Sequence, residues 1–304
     1  MPNPIVTSLP TYVEQRRLPL IGKANLGAKT ARLLTVQTGI KHSAALNLVA
    51  TSIAFGDGST CGWNPAGTTE LSQRILTVGN IKINMSFCDR DLLDKWAGYQ
   101  VRVAAGEREM PFEEDFMNNI SEAIAAAVEK AIWQGDTASG DSTLNKFDGF
   151  IKLLEAEAGV VDVTIEAGAT PIEAVNDVLL AIPTESLHED TVIFASPEFV
   201  RAYGIAIVLA NLYHHEGGRD MADIVIPGSN VRLIAAPGLS GTKKIVAGRL
   251  SNMFFGVDML SDAETFKFWY SDDNQEFRLS VSFNAGVQVA FPDQIVVGTY
   301  TTLA

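Results

Sequence analysis

Residues 111–133 read PFEEDFMNNISEAIAAAVEKAIW, and this stretch decides the class of fold. Pro111 suits the first helical position, and the three acidic residues near it put negative charge at the positive end of the helix dipole. Gly135 is predicted to end the helix in the left-handed conformation. The pattern predicts a helix of about 22 residues, roughly 33 Å long, whose alanines let it lie close against a sheet. Its apolar face, at every fourth position, consists of Phe116, Ile120, Ile124, Val128 and Ile132.

The composition excludes several classes of protein. The 304 residues are 47% hydrophobic and 19% charged, which is too apolar and too weakly charged for a disordered chain. The charge-free apolar stretches at 43–56 and 202–213 are shorter than the roughly 20 residues needed to cross a bilayer. Only Cys61 and Cys88 are present, which argues against a disulfide scaffold and fits a reducing cytoplasm. No secretion signal is expected, because the N-terminal residues contain no apolar segment after a basic start.

The net charge of −13 is distributed unevenly along the chain. Residues 1–110 carry 12 Lys and Arg against 8 Asp and Glu, whereas residues 111–304 carry 11 against 28. The first 41 residues are the most basic and have no sustained hydrophobic period, so they are predicted to form an extended arm without a core of its own. The partner of such an arm is nucleic acid or the acidic body of an identical neighbour. The simpler alternative is that the uneven charge has no partner, and that the basic and acidic parts are two solvent-exposed faces of one subunit.

A long protruding hairpin is predicted after this arm. Residues 44–55 (AALNLVATSIAF) suit a helix or a strand, and residues 56–70 (GDGSTCGWNPAGTTE) have the composition of a loop. Residues 81–85 then alternate between apolar and polar side chains, as a half-exposed strand does. A hairpin with little core beneath it needs stabilisation from outside the monomer. Trp63 in the predicted tip therefore suggests contact with a partner surface, and folding back on its own loop is the alternative.

The rest of the chain mixes helices and strands. Thr170 and Ser196 each cap a helix that begins with proline, and residues 191–195 (TVIFA) predict a fully buried strand. Trp96, Trp133 and Trp269 are predicted to lie in the core. The mixture lacks strict alternation, so the fold class is α+β. Short strands, separated by turns that include 284–286, are predicted at 231–235, 244–247, 253–255, 266–270, 277–283, 287–291 and 295–297.

No group of residues predicts an enzyme, a metal or a cofactor. The glycine-rich segment 238–244 resembles a phosphate-binding loop in composition only, because a strand and not a helix follows it. The adjacent His214 and His215 would point about 100° apart on a helix, unlike the i, i+4 pair that binds zinc. Neither Cys61 nor Cys88 has a histidine nearby in the sequence to activate it. We therefore expect a protein without catalytic residues.

The order of these features resembles the major capsid proteins of tailed phages, the Hong Kong 97 fold that encapsulins share. Residues 131–136 (AIWQGD) and 147–150 (FDGF) resemble the end of that family's spine helix and the loop after it. Residues 196–199 (SPEF) resemble the start of a helix in its axial domain. Residues 286–297 (GVQVAFPDQIVV) resemble its closing strands. The resemblance covers roughly residues 40–304 and rests on the order and spacing of these segments.

The resemblance implies a division into four parts. These are an N-terminal arm at 1–45, an E-loop hairpin at 46–88, a peripheral domain at 89–168 and 262–290 with the spine helix at 111–133, and an axial domain at 169–261 and 291–304. Some family members carry a scaffolding segment that maturation removes, for which this chain has no room, so a separate scaffolding protein is expected. Another member has a Lys–Asn cross-link, and no motif here matches it around Lys82, the only lysine on the predicted hairpin.

The function that the resemblance implies is structural. Many identical subunits, as hexamers and pentamers, would form an icosahedral shell around packaged double-stranded DNA that is not recognised by sequence. The shell would assemble in the host cytoplasm with scaffolding, portal and decoration proteins, and without a membrane or a cofactor. An encapsulin-type compartment around an enzyme cargo and a soluble enzyme with a diffuse site are the alternatives. The side chains expected to contact neighbouring subunits are Arg16, Arg17, Lys23, Trp63, Arg74 and Lys82.

Overall fold

The computed structural model describes residues 4–16, 19–20, 23, 26–55, 59, 63, 67–104, 112–187, 190–210, 223–258 and 265–302. Its α-helices are α1 (Pro4–Gln15), α2 (Lys29–Leu33), α3 (Asp89–Ala104), α4 (Phe112–Gln134), α5 (Phe150–Ala156), α6 (Pro171–Ala181) and α7 (Pro197–Leu209). Its strands up to residue 200 are β1 (Thr35–Gln37), β2 (Ser43–Ile53), β3 (Gly67–Thr77), β4 (Gly79–Cys88), β5 (Val161–Thr164) and β6 (Thr191–Ala195). The later strands are β7 (Asp223–Val225), β8 (Arg232–Ala235), β9 (Lys244–Arg249), β10 (Met253–Val257), β11 (Thr265–Ser271), β12 (Glu276–Val289) and β13 (Val296–Thr299).

The first of two large sheets has five strands and is built around β12. On one side of β12 lie β11 and β10, with the short β1 parallel to β10, and on its other side lies β4. The turn predicted at 284–286 is wrong, because β12 continues through Asn284 and Gly286 without a break. A side chain at Gly286 would meet the carbonyl oxygen of Thr77 at 2.2 Å, so the glycine there permits close packing of two backbones.

The second large sheet has six strands in the order β5-β13-β9-β6-β8-β7. Its central strand β6 is buried at every position, as its apolar sequence predicts. The caps predicted for the two flanking helices are confirmed. Thr170 and Glu173 form a reciprocal capping box at the start of α6, and Ser196 accepts the backbone N–H of Phe199 at the start of α7.

The long helix α4 joins the two sheets into one core. Ile120, Ile124, Val128 and Ile132 are buried along its predicted apolar face. Near its end the ring of Trp133 packs against Phe150 at 5.4 Å and against Phe194 of β6 at 5.1 Å between ring centroids. A single cluster of buried apolar residues therefore runs from α1 through α4 into both sheets.

Gly135 follows α4 but does not have the left-handed conformation that its position predicted. A side chain there would meet the carbonyl oxygens of Phe147 at 2.5 Å and of Ala131 at 2.6 Å. Gly149 donates its backbone N–H to the carbonyl oxygen of Gly135 at 2.8 Å. A glycine is thus required here because the backbone at residues 147–149 passes close to it, and not because it caps the helix.

The N-terminal segment differs from the extended arm that its composition predicted. Residues 4–15 form the helix α1, and Leu9, Val13 and Leu20 are almost fully buried in the main core. Part of the segment therefore packs on its own chain, because a few apolar side chains at helical spacing are enough once a neighbouring surface covers them.

The predicted hairpin also has different bounds. Only β2 and β3 form a separate two-stranded sheet, whereas β4 pairs along its whole length with β12. Lys82 therefore lies on the five-stranded sheet and not on the hairpin, and the helix α3 that follows β4 was not predicted. Among the described residues, no helix is both long and apolar enough to span a membrane.

Candidate assembly surfaces

The hairpin β2–β3 has one face whose residues are all exposed. Side chains alternate between the two faces of a strand, and all odd-numbered residues of β2 and β3 are exposed. We call this set the open face, and none of its members is charged. The open face consists of Ser43, Ala45, Asn47, Val49, Thr51, Ile53, Gly67, Thr69, Leu71, Gln73, Ile75 and Thr77.

The open face is arranged in alternating apolar and polar rows. Val49 lies directly across from Leu71, and the leucine side chain is 79% exposed. Two further apolar rows, Ala45–Ile75 and Ile53–Gly67, lie on either side at equal distances. The intervening rows are polar: Gln73 donates its side-chain N–H to Asn47 Oδ1 at 2.8 Å, and the hydroxyls of Thr51 and Thr69 are 3.4 Å apart.

The opposite face attaches the base of the hairpin to its own subunit. Leu46 and Leu76 are buried there against Ile40 and Val78. Arg74 makes an ion pair with Glu157, which follows α5. These contacts hold the lower half of the hairpin, and the open face above them stays uncovered.

Two aromatic side chains near the hairpin tip are also exposed. Trp63 is 92% exposed and Phe55 is 99% exposed. Cys61 of the predicted tip lies outside the described residues. Aromatic side chains this exposed gain little from their own fold, which fits the predicted contact of the tip with a partner surface.

A second apolar surface lies on the six-stranded sheet's helices. The helix α7 buries Phe199 and Tyr203 against the sheet, yet its outer side carries Ile205, Val208 and Leu209, all exposed. The neighbouring helix α6 packs against α7 and has an exposed leucine of its own, Leu180. Exposed apolar side chains grouped on one side of a helix are typical of a surface that contacts another molecule.

The basic residues predicted to contact neighbours occupy different settings. Arg16 is exposed after α1, and Lys23 donates from Nζ to Asn118 Oδ1 on α4 at 2.7 Å. Arg17 lies outside the described residues. Arg74 is engaged within its own chain, and Lys82 is exposed on β4. The four described basic residues thus lie on different segments of the fold, and the intersubunit role of all five stays a prediction.

Trp269 lies on the five-stranded sheet, and the prediction that it is in the core is wrong. Trp269 is 40% exposed and not in the core, whereas Trp133 is fully buried and Trp96 is half-buried. The indole of Trp269 lines an open groove of about 420 Å³ together with Lys82 and Arg278. The Arg278 side chain donates from Nε to Glu276 Oε1 at 2.8 Å.

One buried polar group escaped the sequence analysis. Glu129 of α4 is 3% exposed, and its carboxylate accepts both the backbone N–H of Thr30, at 2.8 Å, and the Thr30 hydroxyl. The Thr30 Oγ1 in turn accepts the indole N–H of Trp133 at 2.9 Å. The sequence did not predict the burial of Glu129, because its partner Thr30 is about a hundred residues away in the chain.

The loop after α4 is held by a second polar network. Lys152 Nζ donates to Asp136 Oδ1 at 2.5 Å and to Asp148 Oδ1 at 2.8 Å. The hydrogen bond from Lys152 lowers the pKa of Asp136. Burial acts to raise the pKa of Asp148, but hydrogen bonds from Lys152 and Thr137 outweigh it and leave that pKa lowered. Both carboxylates raise the pKa of Lys152.

The described residues contain no group of His, Cys, Asp and Glu that could hold a metal ion. Cys88 is exposed at the end of β4, and His42 is exposed before β2. His188, His214 and His215 lie outside the described residues.

Comparison with known proteins gives matches of structure and none of sequence. No protein-family model matches the chain, and no curated protein matches it. The structure is similar to the "Satellite phage P4 procapsid including size determination (Sid) protein", with 12% identity, 95% of this chain and 91% of that chain covered, and a TM-score of 0.64. It is also similar to the capsid of an empty GTA particle, with 14% identity, 92% and 90% coverage and a TM-score of 0.56.

A third similar structure is a virus-like particle from Pyrococcus furiosus, with 15% identity, 94% and 98% coverage and a TM-score of 0.53. These matches span more than nine-tenths of the chain. The chain therefore has the Hong Kong 97-type capsid fold, as the order of its segments predicted, and α4 corresponds to the spine helix.

Proposed function

We propose that this protein is a major capsid protein of a tailed phage, whose copies assemble into an icosahedral shell around double-stranded DNA. The observation that carries the proposal is the similarity to the P4 procapsid structure, which covers 95% of the chain with a TM-score of 0.64. At 12% identity this likeness concerns the fold, so the argument for assembly also needs the surfaces of this chain.

The exposed apolar surfaces support assembly from identical subunits. The open face of the hairpin and the stripe on α7 belong to separate sheets of the fold and have different shapes. Several different contact patches on one subunit allow each copy to bind several neighbours, and a closed shell requires contacts of this kind. Burying these patches would supply the apolar contact that the isolated hairpin lacks.

The division into arm, E-loop, peripheral domain and axial domain belongs to the same proposal. The five-stranded and six-stranded sheets support two domains, with several adjustments to the expected bounds. β10 at 253–257 pairs within the five-stranded sheet, and β5 at 161–164 pairs within the six-stranded sheet. The E-loop is then the hairpin 43–77, and β4 belongs to the peripheral domain.

The negative net charge of the chain fits a shell that encloses DNA without binding it specifically. The net charge of −13 repels phosphate, so packaging needs separate machinery, and we propose scaffolding, portal and decoration proteins as further partners. Assembly in the host cytoplasm and a final place in the virion follow from this proposal. No catalytic step is part of it.

Electron microscopy of the expressed full-length protein tests the proposal. We expect closed or partly closed shells, sheets or tubes made of one repeating subunit. Co-expression in phage-infected cells should yield particles that protect DNA from nuclease. Particles of neither kind, with monomers or dimers at every protein concentration tested, would contradict the proposal and favour a soluble enzyme.

A compartment that encloses an enzyme is the second candidate. The similarity to the virus-like particle from Pyrococcus furiosus, which covers 98% of that chain, supports it. The contents of purified particles distinguish the two functions. Nuclease-protected DNA supports the capsid, whereas a stoichiometric second protein and no protected DNA supports the compartment.

A further inference from the structure

The groove beside Trp269 lies on the polar face of the five-stranded sheet. Side chains alternate between the two faces of a strand, and on the opposite face the paired Phe268 and Leu279 are buried in the core. On the groove face, the register places Ser86, Arg278 and Trp269 side by side on three neighbouring strands. The indole, which is 40% exposed, thus shares the groove with polar side chains. These are Lys82, Asn84, Ser86, Glu276, Arg278 and Ser280.

The groove offers mainly hydrogen-bond donors to a ligand. Ser280 donates its hydroxyl to Asn84 Oδ1 at 3.1 Å, which leaves both N–H groups of the Asn84 amide for another acceptor. Arg278 uses Nε for Glu276, so its two terminal nitrogens are available among the described residues. Nothing in the described part of the chain pairs with the ammonium of Lys82. A ligand that fits therefore presents several oxygen acceptors, at least one of them negatively charged.

Trp269 adds a flat apolar surface to these donors. A sugar ring suits this combination, because the C–H groups on its face are apolar whereas its hydroxyls project from its edge. Such a ring can stack on the exposed indole and still direct hydroxyls towards the amide of Asn84 and the guanidinium of Arg278, which lies directly across from Trp269. Hydroxyls both donate and accept, so they can also bond to the carboxylate of Glu276.

We propose that this groove binds an acidic polysaccharide, with one sugar ring stacked on Trp269 and the carboxylate of another sugar paired with Lys82. Lys82 lies four residues before Ser86 on β4, which is about 14 Å along the strand and farther than one ring reaches. The stacked ring and the paired carboxylate therefore belong to different units of one chain. The groove is a surface of the single subunit, so this inference does not rest on the proposed shell.

The lining favours a polysaccharide over a protein or a nucleic acid. The core of a protein interface is apolar and depleted of charge, whereas this groove has one indole among polar and charged side chains. Double-stranded DNA carries about one charge per 1.7 Å, and the protein's net charge of −13 and the carboxylate of Glu276 both repel it. A polysaccharide with at most one charge per sugar can place a carboxylate at Lys82 and uncharged hydroxyls near Glu276.

Isothermal titration calorimetry with the full-length protein tests the inference. The probe is hexagalacturonate, and the comparison ligands are the uncharged maltohexaose and the single sugar galacturonate. We expect a dissociation constant of about 1 mM or below for hexagalacturonate at low salt, because the groove is open and shallow. Both comparison ligands should bind at least about tenfold more weakly, since one lacks the carboxylate for Lys82 and the other cannot reach both contacts. Added salt should weaken the binding of hexagalacturonate and leave that of maltohexaose unchanged.

Variants of the groove assign the binding to its residues. Trp269→Ala should abolish binding of hexagalacturonate, and Trp269→Phe should retain part of it, because a smaller aromatic ring remains. Lys82→Gln should weaken that binding about two- to fivefold, as expected for an exposed ion pair. Lys41→Gln, which removes the same charge at another exposed position, is the matched control and should bind normally. If Trp269→Ala does not fold, Asn84→Asp replaces two exposed donors by a negative charge and should also abolish binding.

Several outcomes would overturn the inference. These are no binding of hexagalacturonate, binding that survives both Trp269→Ala and Asn84→Asp, and equal affinity for maltohexaose. Polyglutamate or single-stranded oligothymidylate that binds more tightly than hexagalacturonate, and loses this binding in Trp269→Ala, would instead assign the groove to an acidic peptide or to a nucleic acid. All of these results are read on the subunit, whether or not particles form, so they leave the proposed function to its own test.

Discussion

The carboxylate of Glu129 accepts the backbone N–H of Thr30 at 2.8 Å, inside a region closed to solvent. This contact joins the N-terminal segment to the spine helix, and Trp133 extends it by donating its indole N–H to the Thr30 hydroxyl. The indole ring packs against Phe194 of the six-stranded sheet. Three parts of the fold therefore meet around one buried polar group, where each hydrogen bond matters because water cannot readily replace it.

Thr30→Val should destabilise the subunit strongly. The substitution keeps the shape of the side chain but removes the hydroxyl that donates to Glu129 and accepts from Trp133. Leaving buried polar groups without partners costs about 1–3 kcal/mol each, so we expect a loss of about 2–4 kcal/mol in the free energy of unfolding. Urea denaturation measures it, with Thr38→Val at an exposed position as the control. Equal stability of both variants would contradict a structural role for the contact.

Ile124→Asp should prevent folding of the subunit. Ile124 is buried on the apolar face of α4, where an unpaired carboxylate costs several kcal/mol, a large part of the stability of a domain. Circular dichroism and thermal denaturation measure the outcome. Ala123→Asp, on the exposed side of the same helix, is the matched control and should fold. Cooperative unfolding of soluble Ile124→Asp would show that this face of α4 is not in the core.

Trp63→Ala should impair assembly without weakening the subunit. The side chain is 92% exposed, so its removal leaves the melting temperature of the isolated subunit unchanged. In the shell, burying a tryptophan on a neighbour contributes about 1–3 kcal/mol, and the variant loses this contribution at every contact. Light scattering during assembly and the resistance of particles to urea measure the loss. Unchanged assembly and unchanged particle stability would remove the best residue-level support for a docked tip.

Replacing Arg16, Arg17 and Lys23 together by Glu should slow assembly. The reason is the attraction between the basic N-terminal segment and the acidic body of adjacent subunits, which salt weakens. We expect slower assembly at low salt, a smaller difference from the unmodified protein at high salt, and a subunit that stays folded. Normal assembly kinetics at low salt would exclude this attraction as a driving force.

The network around Lys152 should make stability depend on acid. The pKa values of Asp136 and Asp148 are lowered in the folded protein, so their contribution is present above the ordinary carboxyl pKa of about 3.9 and is lost as pH falls through the lower folded values. Lys152→Met removes the donor that lowers both pKa values. Its free energy of unfolding should therefore fall less steeply between pH 5 and pH 2 than that of the unmodified protein. Parallel pH profiles would contradict the assignment.

Local patterns in the sequence were sufficient for several elements. The four-residue spacing on α4, the capping box at Thr170 and the apolar run of β6 predicted elements that the structure contains. These features depend on neighbours within a few residues, so the chain displays them directly. The capsid fold followed from the order of such elements. The hairpin, the long helix and the late strands follow one another in the order that the resemblance required.

Only the tertiary structure decided the features that depend on residues far apart in the sequence. The pairing of β4 with β12 moved Lys82 off the hairpin, and the core contacts of Leu9 and Val13 turned a predicted arm into a packed helix. The buried Glu129 and the open face were invisible for the same reason. The burial of these side chains is set by residues that are far away in the sequence. The periodicity of apolar residues shows which side chains share a face, but it does not show what covers that face.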